Sequence, residues 1–224
     1  MRKLAKVYCL DEYQEDTAPW IILFHGFGAD AADLAPLKDY IPLTQKANWL
    51  FPQGLLDVPI GPGWTGKAWW PLSLASLQID DFSNEKPPGL EKARQELMAM
   101  IDALKVPWSK IILGGFSQGA MMALEVYLHA PETPAGLVLL SGSLIDKEEL
   151  KPLMVRRQGE RFFQSHGDND PVLSIKGARR LETFLTQGGM KGSCLAFPGG
   201  HEIPPQTLQK LATYLDQQIS VKSP

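Results

Sequence analysis

Cysteine, long apolar runs and clustered positive charge are scarce in this chain of 224 residues. Its two cysteines, Cys9 and Cys194, lie far apart and have no second thiol or ligand pair beside them. Neither a disulfide framework nor a zinc site is indicated, and both are expected to be free thiols in a reducing cytoplasm. No apolar run approaches the roughly 20 residues of a membrane span, and none follows the basic N-terminus as a secretory signal requires. Stable membrane insertion is therefore not expected.

The scarcity of clustered positive charge argues against nucleic acid as a partner. The formal net charge is -3, and lysine and arginine form no run that would neutralise a row of phosphates, so nucleic acid is not an expected partner. A nucleotide site is not expected either, because GxxxxGK(S/T) is missing and the turn HGFGAD lacks GxGxxG spacing. Without HExxH, paired cysteines or a dense carboxylate cluster, no metal centre is expected.

What the chain does contain is the pattern of a globular α/β protein, with 44% hydrophobic and 21% charged residues. Its length fits one core, so a single domain over 1–224 is expected. The predicted strands are WIILF (20–24), NWLF (48–51), KIILGGF (110–116), GLVLLSG (136–142), RFFQSHG (161–167) and SCLAF (193–197). Helical spacing marks 89–105, 118–129, 175–187 and 205–219. This alternation predicts a mostly parallel central sheet flanked by helices.

Two segments depart from that alternation. The run Lys3–Leu10 has the weak pattern of one or two edge strands, with the pairing left open between parallel and antiparallel. Segment 54–88 is rich in proline, glycine and tryptophan and is predicted to be one long irregular loop. Its tryptophans, Trp64, Trp69 and Trp70, argue against disorder. They suggest an apolar acyl pocket, with ordinary loop packing as the alternative.

The sharpest chemical signal is the motif GFSQG at 115–119, which stands where a predicted strand ends and a predicted helix begins. A nucleophile elbow requires this context and small residues two positions before and after the serine. Gly115 and Gly119 meet that requirement. Ser117 is therefore the candidate nucleophile, whereas a glycine-rich turn with a spectator serine is the alternative.

A serine nucleophile needs a histidine base and an acid, which in this fold follow in the order Ser, Asp or Glu, His. His201 follows both Ser117 and the candidate acids, and it lies in a glycine turn just after a predicted strand. His166 ends a strand before the candidate acids and is interpreted as a structural support of the acid loop. For the acid, the loop after the strand RFFQ supplies two aspartates. Asp170 is favoured, and Asp168 is a close rival that is interpreted as a turn-forming residue. Asp146, after the strand GLVLLSG, is a more distant rival.

An acyl-transfer site also needs backbone N–H groups for the oxyanion. One is expected from Gln118, which follows the serine. The other is expected from Phe27, because the two glycines around it allow a sharp turn after the strand WIILF. The alternative for this turn is a plain strand-to-helix connection.

Taken together, LFHGFGAD, GFSQGAMMALE, HGDNDPV and GGHEIP, between positions 23 and 204, resemble the small carboxylesterase, lysophospholipase and acyl-protein thioesterase family of α/β hydrolases. The resemblance implies Ser117 as nucleophile, Asp170 as acid and His201 as base, with Phe27 and Gln118 as oxyanion donors. It also implies a minimal fold without a separate lid domain, no cofactor, and often a homodimer.

One departure concerns the loop before residue 80, where many relatives have Trp-Phe-Asp and this chain has Ala68–Leu72 as AWWPL. This difference bears on substrate choice and leaves the catalytic residues intact. The resulting hypothesis is a cytoplasmic serine hydrolase that cleaves a small acyl ester or thioester. The alternative is a non-catalytic small-molecule binding module that has kept the fold.

Overall fold

A computed structural model describes residues 1–72 and 81–221 of the chain. The strands of these residues are β1 (Arg2–Leu4), β2 (Val7–Glu12), β3 (Trp20–Phe24), β4 (Asn48–Pro52), β5 (Leu56–Gly61), β6 (Trp64–Ala68), β7 (Ile111–Phe116), β8 (Gly136–Leu140), β9 (Phe162–Gly167) and β10 (Cys194–Phe197). Eight of them form one sheet in the order β1-β2-β4-β3-β7-β8-β9-β10. From β4 to β10 along this order every neighbouring pair is parallel, whereas β1 and β2 are antiparallel to their neighbours.

The helices are α1 (Leu37–Tyr40), α2 (Leu90–Asp102), α3 (Gln118–His129), α4 (Lys147–Leu150), α5 (Ile175–Gln187) and α6 (Pro205–Val221), with 3-10 turns at Trp108–Lys110 and Lys151–Arg157. The predicted strands and the four longer helices are confirmed to within a few residues. The two four-residue helices, α1 and α4, were too short to leave a helical period in the sequence. Among the described residues, no helix combines the length and apolarity needed to cross a bilayer.

Helices cover both faces of the sheet, which explains why its central strands are apolar on every residue. In β3, Ile22 and Phe24 belong to the apolar cluster that also contains residues of α2, α3 and α5, whereas Ile21 and Leu23 belong to the cluster that contains residues of α6 on the other face. Burying each of these side chains contributes about 1.5–3 kcal/mol relative to leaving it exposed. The prediction of an α/β-hydrolase fold with a mostly parallel sheet is confirmed.

The structure agrees with the prediction of edge strands for the N-terminal run but not with the prediction of an irregular loop for segment 54–88. Lys3–Leu10 contributes to two strands that pair antiparallel at one edge of the sheet. The prediction of one irregular loop over 54–88 is wrong for its first part, because β5 and β6 form an antiparallel hairpin in which Asp57 pairs with Lys67. Proline and glycine within these strands concealed them, since both residues are depleted in ordinary strands. Residues 73–80 of this segment lie outside the described residues.

The parallel strands bring their following loops to one edge of the sheet. The loops after β3, β7, β9 and β10 begin at residues 25, 117, 168 and 198. Ligands of open α/β sheets bind at this carboxyl edge. Each candidate site residue predicted from the motifs falls on one of these four loops or at the start of α3.

Candidate active site

Ser117 sits in a strained turn between β7 and α3. Its backbone adopts φ 56° and ψ -120°, a left-handed conformation that a non-glycine residue holds only when its surroundings enforce it, at a cost of about 1–3 kcal/mol. The Ser117 N–H donates to the Leu140 carbonyl at 2.9 Å, which ties the turn to the end of β8. A nucleophile elbow has this strand-turn-helix geometry.

The two motif glycines are required by close backbone packing. A Cβ at Gly119 would lie 1.9 Å from the Phe24 carbonyl oxygen, and one at Gly115 would lie 2.4 Å from the Gly119 carbonyl carbon. Real Cβ atoms do not approach backbone so closely, so any larger residue would displace the turn. The sequence requirement for small residues on both sides of the serine thus has a direct steric cause here.

His201 and Asp170 are brought together from the loops after β10 and β9. His201 Nδ1 lies 2.6 Å from Asp170 Oδ2, and the Asp170 side chain is fully buried. A carboxylate accepts only, so this contact places the Nδ1 proton between them and leaves Nε2 as the basic nitrogen. The His201 ring also packs on Phe116, the residue before the candidate nucleophile, with the ring centroids 4.7 Å apart.

Further donors converge on the Asp170 carboxylate. Its Oδ1 accepts hydrogen bonds from the Val172 N–H at 2.8 Å and the Leu173 N–H at 2.9 Å. Burial raises the pKa of Asp170, but the hydrogen bond from His201 and these two backbone bonds outweigh that effect and leave the pKa below its usual range. Asp170 is therefore held ionised beside the imidazole.

The rival acids occupy different places. Asp168 Oδ1 accepts from the Gly199 N–H at 3.3 Å, so this side chain connects the acid loop to the turn before His201. Asp146 lies at the start of α4, and its carboxylate faces Lys86 at 3.5 Å. Of the three carboxylates weighed in the sequence, Asp170 is the one hydrogen-bonded to His201.

His166 supports the acid loop, as the sequence indicated. It is fully buried, and its Nε2 donates to the Leu173 carbonyl at 2.7 Å while lying 3.3 Å from Asp170 Oδ2. Burial lowers the pKa of His166, so the ring is neutral and its Nε2 proton faces the acid loop. The interpretation of His166 as a structural residue is confirmed by this hydrogen bond.

The loop after β3 lies directly beside the serine. A Cβ on Gly26 would lie 3.4 Å from Ser117 Cβ, so Phe27, the next residue, is placed next to the elbow. Strand β6 holds this loop, because the Gly28 N–H donates to the Lys67 carbonyl and the Lys67 N–H donates to the Ala29 carbonyl, both at 2.8 Å. The hairpin missed in the sequence therefore positions the predicted oxyanion loop.

Gln118 opens α3, so its backbone N–H has no acceptor within the helix. Its buried side chain fixes the segment after β6: Oε1 accepts from the Trp69 N–H at 3.1 Å, and Nε2 donates to the Trp70 carbonyl at 2.9 Å. Sequence reasoning missed this side-chain role. A glutamine after the serine in the motif was its only signal.

The serine, the histidine and both predicted oxyanion residues line one cavity of about 280 Å³. The rest of its wall is largely apolar, and comprises Trp70, Leu72, Phe82, Pro87, Met121, Ile145, Val172 and Leu173. A mostly apolar cavity with a few convergent polar groups is the usual form of a small-molecule site. Most of this wall was not identified from the sequence, because its residues come from separate segments with no shared motif.

The three tryptophans of the expected acyl pocket have different surroundings. Trp70 is buried and lines the cavity. Trp69 is buried but does not line the cavity, and its indole Nε1 donates to the His25 carbonyl at 2.8 Å. Trp64 begins β6, is 73% exposed and does not line the cavity. The pocket assignment is therefore corrected for Trp64 and Trp69, because Trp64 on the hairpin is exposed to solvent and Trp69 is buried in the core.

Potential metal ligands converge at one place within residues 1–72 and 81–221, where Glu125, His129 and Glu149 meet. The Arg94 guanidinium already contacts all three side chains, at 2.8 Å from His129 Nε2 and 3.1 Å from Glu149 Oε1. A guanidinium supplies the positive charge that these carboxylates require. The cluster is thus an ion-pair network between α2, α3 and α4.

Comparison with known proteins agrees with this geometry. Residues 9–219 match the model of the phospholipase/carboxylesterase family. Acyl-protein thioesterase 1 of Eremothecium gossypii is 28% identical over 219 residues, covering 91% of this chain and 89% of the relative. A probable carboxylesterase of rice, Oryza sativa subsp. japonica, is 26% identical over 208 residues, covering 89% of this chain and 77% of the relative.

Solved structures show the same fold. The crystal structure of esterase PE8 superposes with a TM-score of 0.79 and 25% identity, covering 95% of this chain and 99% of the other. The Bacillus cereus carboxylesterase superposes with a TM-score of 0.72 at 20% identity, covering 96% and 95%, which supports the fold alone. The family match spans nearly the whole chain, and the relatives are named an acyl-protein thioesterase and a probable carboxylesterase. The chain is a carboxylic ester hydrolase and belongs to the phospholipase/carboxylesterase family of α/β hydrolases.

Proposed function

We propose that this hydrolase cleaves carboxylic esters or thioesters through a covalent acyl-enzyme on Ser117, with His201 as base and Asp170 as the acid that orients it. The observation that carries the proposal is the 2.6 Å contact between His201 and Asp170, made at the wall of the cavity that also contains the strained serine. These are the parts that an activated serine requires.

The proposed reaction has two halves. Ser117 Oγ attacks the acyl carbonyl carbon while His201 Nε2 takes its proton, and the imidazolium then protonates the departing alcohol or thiol. In the second half, water attacks the acyl carbonyl carbon and gives a proton to His201. The bond to Ser117 Oγ then breaks, His201 returns the proton to Oγ, and the carboxylic acid is released. Asp170, held ionised by its hydrogen bonds, stabilises the imidazolium in both halves.

Backbone N–H groups of Phe27 and Gln118 are proposed to stabilise the oxyanion of each tetrahedral intermediate. Both residues line the cavity beside Ser117. Losing one such donor typically costs about 10²–10³ in rate. Because both loops are fixed by hydrogen bonds before substrate arrives, little reorganisation is needed during the reaction.

The apolar cavity wall supports an apolar acyl chain. Trp70, Met121 and Ile145 offer hydrocarbon surface next to the serine. Relatives named acyl-protein thioesterase and carboxylesterase support both ester and thioester substrates for this chain. The proposed partner is a small acyl ester or thioester. A cytoplasmic location and a homodimer remain predictions from the sequence.

Hydrolysis of 4-nitrophenyl esters of increasing acyl length tests this function. Wild type should hydrolyse them, and Ser117→Ala should lose at least about 10³ in kcat while keeping the circular dichroism spectrum of the wild type. Ser109→Ala, a change of the same chemistry at an exposed serine, serves as the control and should retain activity. Full activity in Ser117→Ala would refute the proposal. A maximum at long chains would favour lipid-like or acyl-protein substrates over small soluble esters.

A further inference from the structure

A second and larger depression runs along α5. It has a volume of about 670 Å³, and four cationic side chains line it. These are Lys147 from α4 and Lys176, Arg179 and Arg180 from α5, with Leu144 and Phe184 among the apolar residues between them. We call this depression the basic groove. Such a concentration of positive charge is unexpected in a chain whose net charge is -3.

The charges of the basic groove are only partly balanced. Arg180 pairs with Asp81 at 3.3 Å, and Arg179 pairs with Glu182 at 2.9 Å. Lys147 and Lys176 have no ion-pair partner among residues 1–72 and 81–221. Asp81, which also lines the groove, interacts electrostatically with Lys147 as well as with Arg180. The four cations thus face the carboxylates of Asp81 and Glu182, and net positive charge remains to attract an anion.

Helix α5 adds to this attraction. It is 13 residues long and begins at Ile175, which lines the basic groove next to Lys176. The N-terminal end of a helix carries partial positive charge that favours anions nearby. Because Lys147, Lys176 and the first residue of α5 line the same groove, their fields add.

The basic groove and the cavity at Ser117 share their walls. Leu144 lines the groove, whereas the next residue, Ile145, lines the cavity. Phe82 lines the cavity between two groove residues, Asp81 and Ser83. The backbone at these positions forms the boundary between the two depressions, so the basic groove borders the cavity that contains Ser117.

We propose that the basic groove binds an anionic group, a carboxylate or a phosphate, carried by the ester or thioester that is cleaved at Ser117. Lys147 and Lys176 supply the recognition, and the apolar floor accommodates the chain that leads to the anion. This inference rests on the proposed function and adds a charge preference to it. The anion lies either on the acyl chain or on the leaving group.

Two pairs of esters separate these sources. Methyl decanoate and the monomethyl ester of decanedioic acid differ only by a carboxylate at the far end of the acyl chain. Monodecanoylglycerol and its phosphate monoester differ only by a phosphate on the leaving group. The measured quantity is the ratio of kcat/KM for the anionic ester to that for its neutral partner, at low salt and below the micellar concentration of each ester.

In one of the two pairs the wild-type ratio should exceed one by about tenfold, and it should fall when salt is raised, because exposed charges are screened. The double variant Lys147→Glu/Lys176→Glu should lower this ratio to one or below. Lys147→Gln/Lys176→Gln should give an intermediate ratio, and keeps the test valid if charge reversal impairs folding. Lys3→Glu/Lys105→Glu changes the net charge equally on surfaces away from α5 and should keep the wild-type ratio.

A wild-type ratio near or below one in both pairs would overturn the inference while leaving the proposed function intact. The same conclusion would follow if the groove variants and the control variant gave equal ratios. A higher ratio in the decanedioate pair places the anion on the acyl side, and a higher ratio in the phosphate pair places it on the leaving group. If wild type hydrolysed none of the four esters, the proposed function would fail, and this inference with it.

Discussion

Replacing Asp170 by asparagine separates its electrostatic role from its structural one. The asparagine oxygen can still accept from the Val172 and Leu173 N–H groups, as Asp170 Oδ1 does at 2.8 and 2.9 Å. Its amide NH₂ then faces His201 Nδ1, which must become the acceptor. The proton moves to His201 Nε2, and the imidazole can no longer take the proton of Ser117.

The size of the effect follows from this change of tautomer. The corresponding substitution in a serine protease lowers kcat by about 10⁴, which is about 5.4 kcal/mol of transition-state stabilisation. We expect a similar loss here, because the Asp170 side chain is fully buried and makes one short contact with the imidazole. Stability should fall less, by about 2 kcal/mol, the usual worth of a hydrogen bond to a charged group.

Asp168→Asn is the matched control, because it makes the same chemical change two residues away in the same loop. Its oxygen can keep the hydrogen bond from the Gly199 N–H, so kcat should fall by less than about tenfold. Ester hydrolysis at pH 8 and urea unfolding of both variants provide the measurements. Equal losses of kcat in the two variants, or a larger loss in Asp168→Asn, would refute the assignment of Asp170.

Three further results are expected. Gln118→Ala keeps the backbone N–H proposed for the oxyanion but removes the side-chain hydrogen bonds to the Trp69 N–H and the Trp70 carbonyl beside the cavity. KM for apolar esters should therefore rise by a larger factor than kcat falls, and an unchanged KM would contradict this expectation. Burial raises the pKa of Cys9 to about 12 and that of Cys194 to about 11, so neither thiol of the folded protein should react rapidly with iodoacetamide at pH 8; fast labelling without unfolding contradicts it. Because the pKa of Asp170 is lower in the folded than in the unfolded chain, its contribution to stability is complete above the unfolded value of about 3.9 and is lost as the pH falls through the folded value. The stability difference between wild type and Asp170→Asn should accordingly shrink below about pH 4 in urea titrations, and a difference that grew there would contradict it.

The sequence predicted the sheet and its long helices because each has a strong local pattern. β3 is apolar on every residue, as a strand covered on both faces must be. The hairpin of β5 and β6 was missed for the opposite reason. Val58 is the buried residue of β5, and Pro59 interrupts its pattern, so no alternation was visible. Such a hairpin is specified by its contacts with the loop after β3, which involve residues almost 40 positions away.

The same distinction between local and distant information applies to the site. Ser117 could be found because the glycines of its motif and the flanking strand and helix patterns together predict the local backbone geometry. The acid could not be fixed by spacing, since Asp168 and Asp170 share one loop and only packing against the turn of His201 distinguishes them. Trp64 was assigned to the pocket by composition, whereas the hairpin exposes it. The basic groove was invisible because Lys147 lies far in sequence from the cations of α5.

Labelling with a fluorophosphonate probe, followed by intact-protein and peptide mass spectrometry, tests the central claim most directly. Such probes react with activated serines and hardly with ordinary ones. The account predicts one adduct on Ser117 in the wild type and none in Ser117→Ala, with strongly slowed labelling in Asp170→Asn. Folded wild-type protein that forms no adduct, or forms it on another serine, would contradict the assignment of Ser117 as the nucleophile.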